Sequence, residues 1–125
     1  MSSRLAITIV SVAAFAFGVP LLVAPGVMLA ASGIDASGTS AVARGAGATL
    51  VGLGVLDWLS RDASGAARRA VLAGNLAVQV LSLLVNAGSV LAGDLPFRAG
   101  IAAPIHLALA VVLAVALRRA DRSSG

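Results

Sequence analysis

Cysteine and lysine are missing from this 125-residue chain, aromatic residues make up only 3% of it, and charged residues only 11%. Without cysteine there is no disulfide staple, no thiolate metal site and no dithiol redox chemistry. A soluble domain carries about 25% charged residues, so this chain has too few charges to clothe a water-facing surface. With so few aromatics, the apolar surface must come from Ala, Val and Leu.

What is present is hydrophobic, at 59% of residues. It falls into four apolar blocks at 5–24, 41–59, 70–91 and 99–117. Each approaches the ~20 residues an α-helix needs to cross a ~30 Å hydrocarbon core. The fold class expected is therefore all-α: one domain over 1–125, an integral-membrane, antiparallel up-down bundle of four transmembrane helices. Abundant Ala and Gly suit close helix contact in lipid, where small residues let backbones approach.

The net charge of +4 is not a nucleic-acid signature, because the arginines are placed by loop. Arg4 precedes the first block. Arg61, Arg68 and Arg69 lie between the second and third, and Arg118, Arg119 and Arg122 follow the fourth. The alternate connections hold only Asp35, Asp94 and Arg98. Arg-rich short loops stay cytoplasmic, so both termini are expected inside, in a multi-pass protein of the plasma (cytoplasmic) membrane. Arg4 and Ala14-Phe15-Ala16 imitate a signal peptide. The apolar run continues through Val19-Pro20-Leu21-Leu22-Val23-Ala24, however, and reads as a span.

The connections are short. Ala24-Pro25-Gly26 stops the first helix, since proline lacks a donor and glycine tolerates any turn. Residues 27–31 are expected as one or two turns at the outer interface, and Thr39 or Ser40 as the cap of the second helix. An inner loop over 60–69 and a tight outer turn at Gly93-Asp94-Leu95-Pro96 complete the layout. Such links favour antiparallel neighbours.

Polar groups inside the spans carry any chemistry. Asn75, Gln79, Ser82 and Asn86 recur at helical spacing, within about 60° of arc. Amides facing lipid would cost several kcal/mol each if unpaired, so this seam faces the interior, as interhelical glue or as the wall of a ligand pocket. Arg44 sits about one turn inside the second helix. An intramembrane arginine is a functional candidate, although near an end it can snorkel. Asp35 or Asp94 is its possible partner. Depth arithmetic puts His106 about 10 Å below the outer edge, level with Arg44 and Asn86. If these three converge, the pocket opens outward and suits an anionic or carbonyl group. Arg44, Gln79, Ser82, Asn86 and His106 are the expected ligand-binding residues. One histidine without a carboxylate or cysteine falls short of a metal set, and no cofactor is expected.

Asp57 projects roughly 140° from Arg44 on the same helix. Its candidate partners are the inner-loop arginines or Asn75, and Trp58 reads as an interfacial anchor. No nucleophile elbow, phosphate loop or carboxylate pair appears.

Gly18-Val19-Pro20, Ala24-Pro25, Ala43-Arg44-Gly45-Ala46-Gly47, Leu50-Val51-Gly52-Leu53-Gly54 and Trp58 together resemble the small four-helix membrane proteins around the DoxX-like superfamily. The resemblance covers nearly the whole chain in layout and is sharpest at the Arg-Gly-x-Gly stretch. It implies a compact four-helix bundle, an accessory to membrane redox systems, and carries over no catalytic residue.

Three function classes fit these features. The first is a binding or accessory protein with a pocket for a lipid, quinone or other amphiphile, whose partners are membrane lipids, a membrane redox protein and, through Ala48 with Gly52 or Ala14 with Gly18, a second copy in a homodimer. The second is a membrane-embedded isomerase or cyclase using His106 or Asp57 as acid–base group. The third, a small multidrug-resistance-like transporter, wants a Glu in a first helix that offers only Thr8 and Ser11. A fluoride channel fails similarly, for want of phenylalanine. The first class demands no residue the chain lacks.

Overall fold

Ser2 opens the first helix by accepting a hydrogen bond from Leu5 N at 3.2 Å, which satisfies one of the free N–H groups of a helix start. The computed structural model describes residues 1–122. In order these form α1 (Ser3–Val23), α2 (Pro25–Ala31), α3 (Ser40–Ser60), α4 (Gly65–Ala92), a 3₁₀ turn (Phe97–Ile101) and α5 (Ala102–Arg122), with no strand among the described residues. The segments Ser3–Val23, Ser40–Ser60, Gly65–Ala92 and Phe97–Arg122 are each long and apolar enough to cross a membrane, at 21, 21, 28 and 26 residues. At 1.5 Å per residue the shortest is about 31 Å long.

The ends of the helices depart from the apolar blocks for local reasons. Apolarity reports what lipid will accept, whereas the helix continues wherever propensity allows. α4 starts at Gly65 because Ala66, Ala67, Arg68 and Arg69 are good helix formers, and the inner loop shrinks accordingly. The same logic carries α5 through Arg118 and Arg119. Pro104 falls in the first turn of α5, where the fixed φ of proline is readily accommodated. The short helix after α1 exists as α2, with Pro25 at its start. The expected cap of α3 does not form: Thr39 Oγ1 donates back to Asp35 O at 3.2 Å and Ser40 Oγ to Ala36 O at 3.2 Å. At the far end of α4, Gly93 takes φ +82°, a left-handed position open to glycine.

Packing divides the helices into two intimate pairs, α1 with α3 and α4 with α5, and α1 also touches α5. The α1–α3 seam is made by small residues. A Cβ on Gly47 would lie 2.5 Å from Leu22 N and 2.9 Å from Gly18 O, so only glycine permits this approach. Ser11 Oγ donates to Gly54 O at 2.8 Å deep in the same seam. The Ala14–Gly18 face is thus buried within the chain, while Ala48 and Gly52 stay exposed.

The pairs join over an apolar core of Ala6, Ile7, Val10, Leu72, Leu113, Ala116 and Ala120, drawn from α1, α4 and α5. Beside it the arginine-rich segments gather: Arg4 pairs with Asp62 at 3.0 Å, Arg69 with Asp121 at 3.9 Å, and Arg61 lies 4.2 Å above the Trp58 ring. The outer faces are aliphatic, with Leu84 64% and Leu91 88% exposed. Such exposed apolar faces accompany helices long and apolar enough to cross a membrane.

Candidate functional site

A cavity of about 290 Å³ is lined by both helix pairs. Its walls are aliphatic and aromatic: Ala14 and Phe17 of α1, Leu50 and Leu53 of α3, Ile105 and Leu109 of α5, with Met28 and Leu29 of α2 lying across one side. Against this lining stand the polar side chains Ser32, Asn75, Gln79 and His106. A mostly apolar pocket with a few convergent polar groups is the usual form of a small-molecule site.

The seam of α4 supplies the polar side. Asn75 and Gln79 are one turn apart on the same face, and both are buried, at 3% and 8% exposure. Gln79 Oε1 meets His106 Nδ1 of α5 at 2.7 Å, which fixes the imidazole at the cavity wall. Asn75 Nδ2 donates to Asp57 Oδ1 of α3 at 2.6 Å and to Val71 O at 3.1 Å. Asp57 is completely buried and takes part in none of the ion pairs among the described residues. Its Oδ2 and the Oδ1 of Asn75 are both buried without a hydrogen-bond partner. The Asp57–Asn75 bond therefore ties α3 to α4, where these helices otherwise barely meet, and of the two only Asn75 lines the cavity.

The remaining expected residues lie elsewhere. Asn86 Nδ2 donates to Ala99 O at 3.2 Å, tying α4 to the 3₁₀ turn, and does not line the cavity. Ser82 is half-buried and is also absent from the lining. Arg44 is exposed on the outside of α3. The packed face of α3 is Ala43, Gly47, Gly54 and Asp57, and one residue on from Ala43 is a rotation of about 100°. Asp35, a candidate partner for Arg44, is engaged locally instead, accepting from Ser37 Oγ at 2.6 Å and Ser37 N at 2.9 Å. These bonds, the side-chain one foremost, hold the Asp35 carboxyl below its ordinary value of 3.8.

Convergence of Arg44, Asn86 and His106 thus gives way to convergence of Asn75, Gln79 and His106. No arginine lines the cavity, which removes the preference for an anionic group. Among the described residues no three His, Cys, Asp or Glu side chains come together as metal ligands. The chemistry available at the wall is uncharged hydrogen bonding beside a large apolar surface. The chain matches no family model, and no curated protein or solved structure is significantly similar to it.

Proposed function

We propose that this chain is a four-span protein of the plasma membrane, with both termini cytoplasmic, that holds a lipid, quinone or other amphiphile in an outward-facing intramembrane pocket, as a binding or accessory protein. The observation that carries the reading is the 290 Å³ cavity with its apolar walls and the Gln79–His106 pair set into them. Two aspects of the packing support the up-down arrangement. Arg4 lies beside Asp62, Ser11 beside Gly54 and Gly18 beside Gly47, so that as α1 advances its partners on α3 recede. The contacts among Arg4, Asp62, Arg69 and Asp121 and between Arg119 and Met1 support a shared cytoplasmic side by the positive-inside rule. The cavity, bordered by Leu21, Met28 and Ile101, then lies in the outer half. The likeness to DoxX-like proteins supports a service role beside a membrane redox partner, and exposed Ala48 and Gly52 are the face on which a second copy would pack.

Photolabelling with an amphiphile bearing a diazirine on its chain tests the pocket. Adducts are expected at Phe17, Leu21 and Leu109, and labelling only at outward residues such as Leu84 and Leu91 would contradict it. The absence of cysteine makes topology directly testable, with Ser64→Cys expected to be labelled from the cytoplasmic side and Ser37→Cys from the outside.

A catalytic reading has one observation in its favour. His106 faces the cavity and is oriented by Gln79, the disposition of a general base and its orienting group. Asp57 does not line the cavity. Turnover of an apolar substrate that vanishes in His106→Gln while binding persists would establish catalysis.

A further inference from the structure

The wall of the proposed pocket carries a recognisable polar code. Gln79 and His106 meet through one hydrogen bond of 2.7 Å between Oε1 and Nδ1. A carbonyl oxygen only accepts, so Nδ1 carries the proton there. In the neutral imidazole Nε2 is then an acceptor, and the Gln79 amide nitrogen keeps its donors. Turning the amide end for end gives the same sum: its nitrogen donates to Nδ1, Nε2 carries the proton, and the amide oxygen is left to accept. Either way the pair offers the cavity two N–H donors and one acceptor atom, and no net charge.

These atoms are open to an incoming group. Among the described residues the two side chains share one hydrogen bond and make no other, and neither the Gln79 nitrogen nor His106 Nε2 is both sealed from the surface and unpartnered. Neighbouring groups do not alter the code. Asn75 is already held by Asp57 and Val71, and no cation or carboxylate lines the cavity.

Given the proposed pocket, on which this selectivity rests, we infer that it selects an uncharged amphiphile headed by a hydroxyl, the smallest group that both donates and accepts. Its oxygen, with two lone pairs, accepts from the N–H donors and its hydrogen goes to the acceptor. A ketone, ester or quinone carbonyl satisfies the donors alone and leaves a polar atom of the wall unpaired, which specificity set by hydrogen bonding penalises. A phosphate or carboxylate brings a charge into a cavity without a counter-charge. At about 30 Å³ for each water-sized group, a 290 Å³ cavity has room for roughly ten groups in all, the head included, and the end of a longer chain would extend beyond it.

The test is saturation binding to the wild-type protein in lipid nanodiscs, read by native mass spectrometry, with dodecanol, its matching methyl ketone and dodecyl phosphate. Dodecanol is expected to bind at least about tenfold more tightly than either, a difference of about 1.4 kcal/mol. Saturable binding in which the ketone or phosphate equals dodecanol overturns the hydroxyl inference and leaves the pocket standing. No saturable binding of any of the three overturns the pocket and the inference together. In Gln79→Met the alcohol and ketone are expected to converge in affinity. A preference that survives this substitution overturns the assignment of the code to this pair.

Discussion

Replacing Asp57 by asparagine should leave the protein as stable as before or more so, which few substitutions of a fully buried residue do. In the wild type, Asp57 Oδ1 accepts from Asn75 Nδ2 at 2.6 Å, while Asp57 Oδ2 and Asn75 Oδ1 are buried without partners. Each such atom costs about 1–3 kcal/mol. Asp57→Asn keeps the acceptor and replaces the unpaired oxygen by an N–H donor, on a side chain already bonded to the one that carries the unpaired Asn75 Oδ1. A gain of about 1 kcal/mol is expected. Asn75→Leu does the opposite, leaving a buried carboxyl group with no donor, and should cost about 1–3 kcal/mol, as leaving a buried polar group unpaired does. Replacing both by leucine should recover most of that loss, because a well-packed apolar pair commonly equals or exceeds a buried polar one. The assay is equilibrium unfolding in mixed detergent micelles titrated with dodecyl sulfate. An Asp57→Asn cost as large as that of Asn75→Leu would refute the reasoning, since the carboxylate charge would then be needed and its partner would be a cation.

Other consequences are equally specific. Gly47→Ala puts a Cβ 2.5 Å from Leu22 N, so it should force α1 from α3 and lower the apparent melting temperature markedly. Gly45→Ala meets nothing within 4 Å and should be neutral or stabilising by up to about 1 kcal/mol. Removing the Ser11 Oγ to Gly54 O bond with Ser11→Ala should cost about 0.6 kcal/mol, measured in the same micelle titration. Because Asp35 is held below 3.8 chiefly by Ser37, its hold on the α2–α3 connection is present above that value and is lost as pH falls through the lowered midpoint. Ser37→Ala should raise the Asp35 midpoint in an NMR titration towards 3.8, and an unmoved midpoint would reject the cause given.

The four long apolar helices were legible because apolar length is a property of each segment alone, and their ends were not, because propensity prolongs a helix past the apolar stretch. Helical spacing along α4 correctly aligned Asn75 and Gln79, since a seam of amides must turn inward whatever it meets. Depth arithmetic concerns the level of Arg44 along the helix axis and says nothing of its direction round the helix. The better guide lay in the same segment: Ala43, Gly47 and Gly54 mark the packed face of α3, and that face carries Asp57 inward and Arg44 outward. That His106 meets Gln79 depends on how α5 is rotated against α4, which no spacing within either helix encodes. The cavity itself is lined by both helix pairs, and α2 reaches its side through Met28 and Leu29. A gap between elements leaves no periodic mark on any one of them.

The most direct test of the central claim is native mass spectrometry of the protein extracted gently from its membrane into nanodiscs, compared with a variant whose cavity is filled by Ala13→Phe. A reproducible added mass on the wild type, lost in the filled variant while the fold persists, is the result expected of an amphiphile held between the helix pairs. A bare wild-type chain, or an adduct that the filled cavity leaves unchanged, would contradict it.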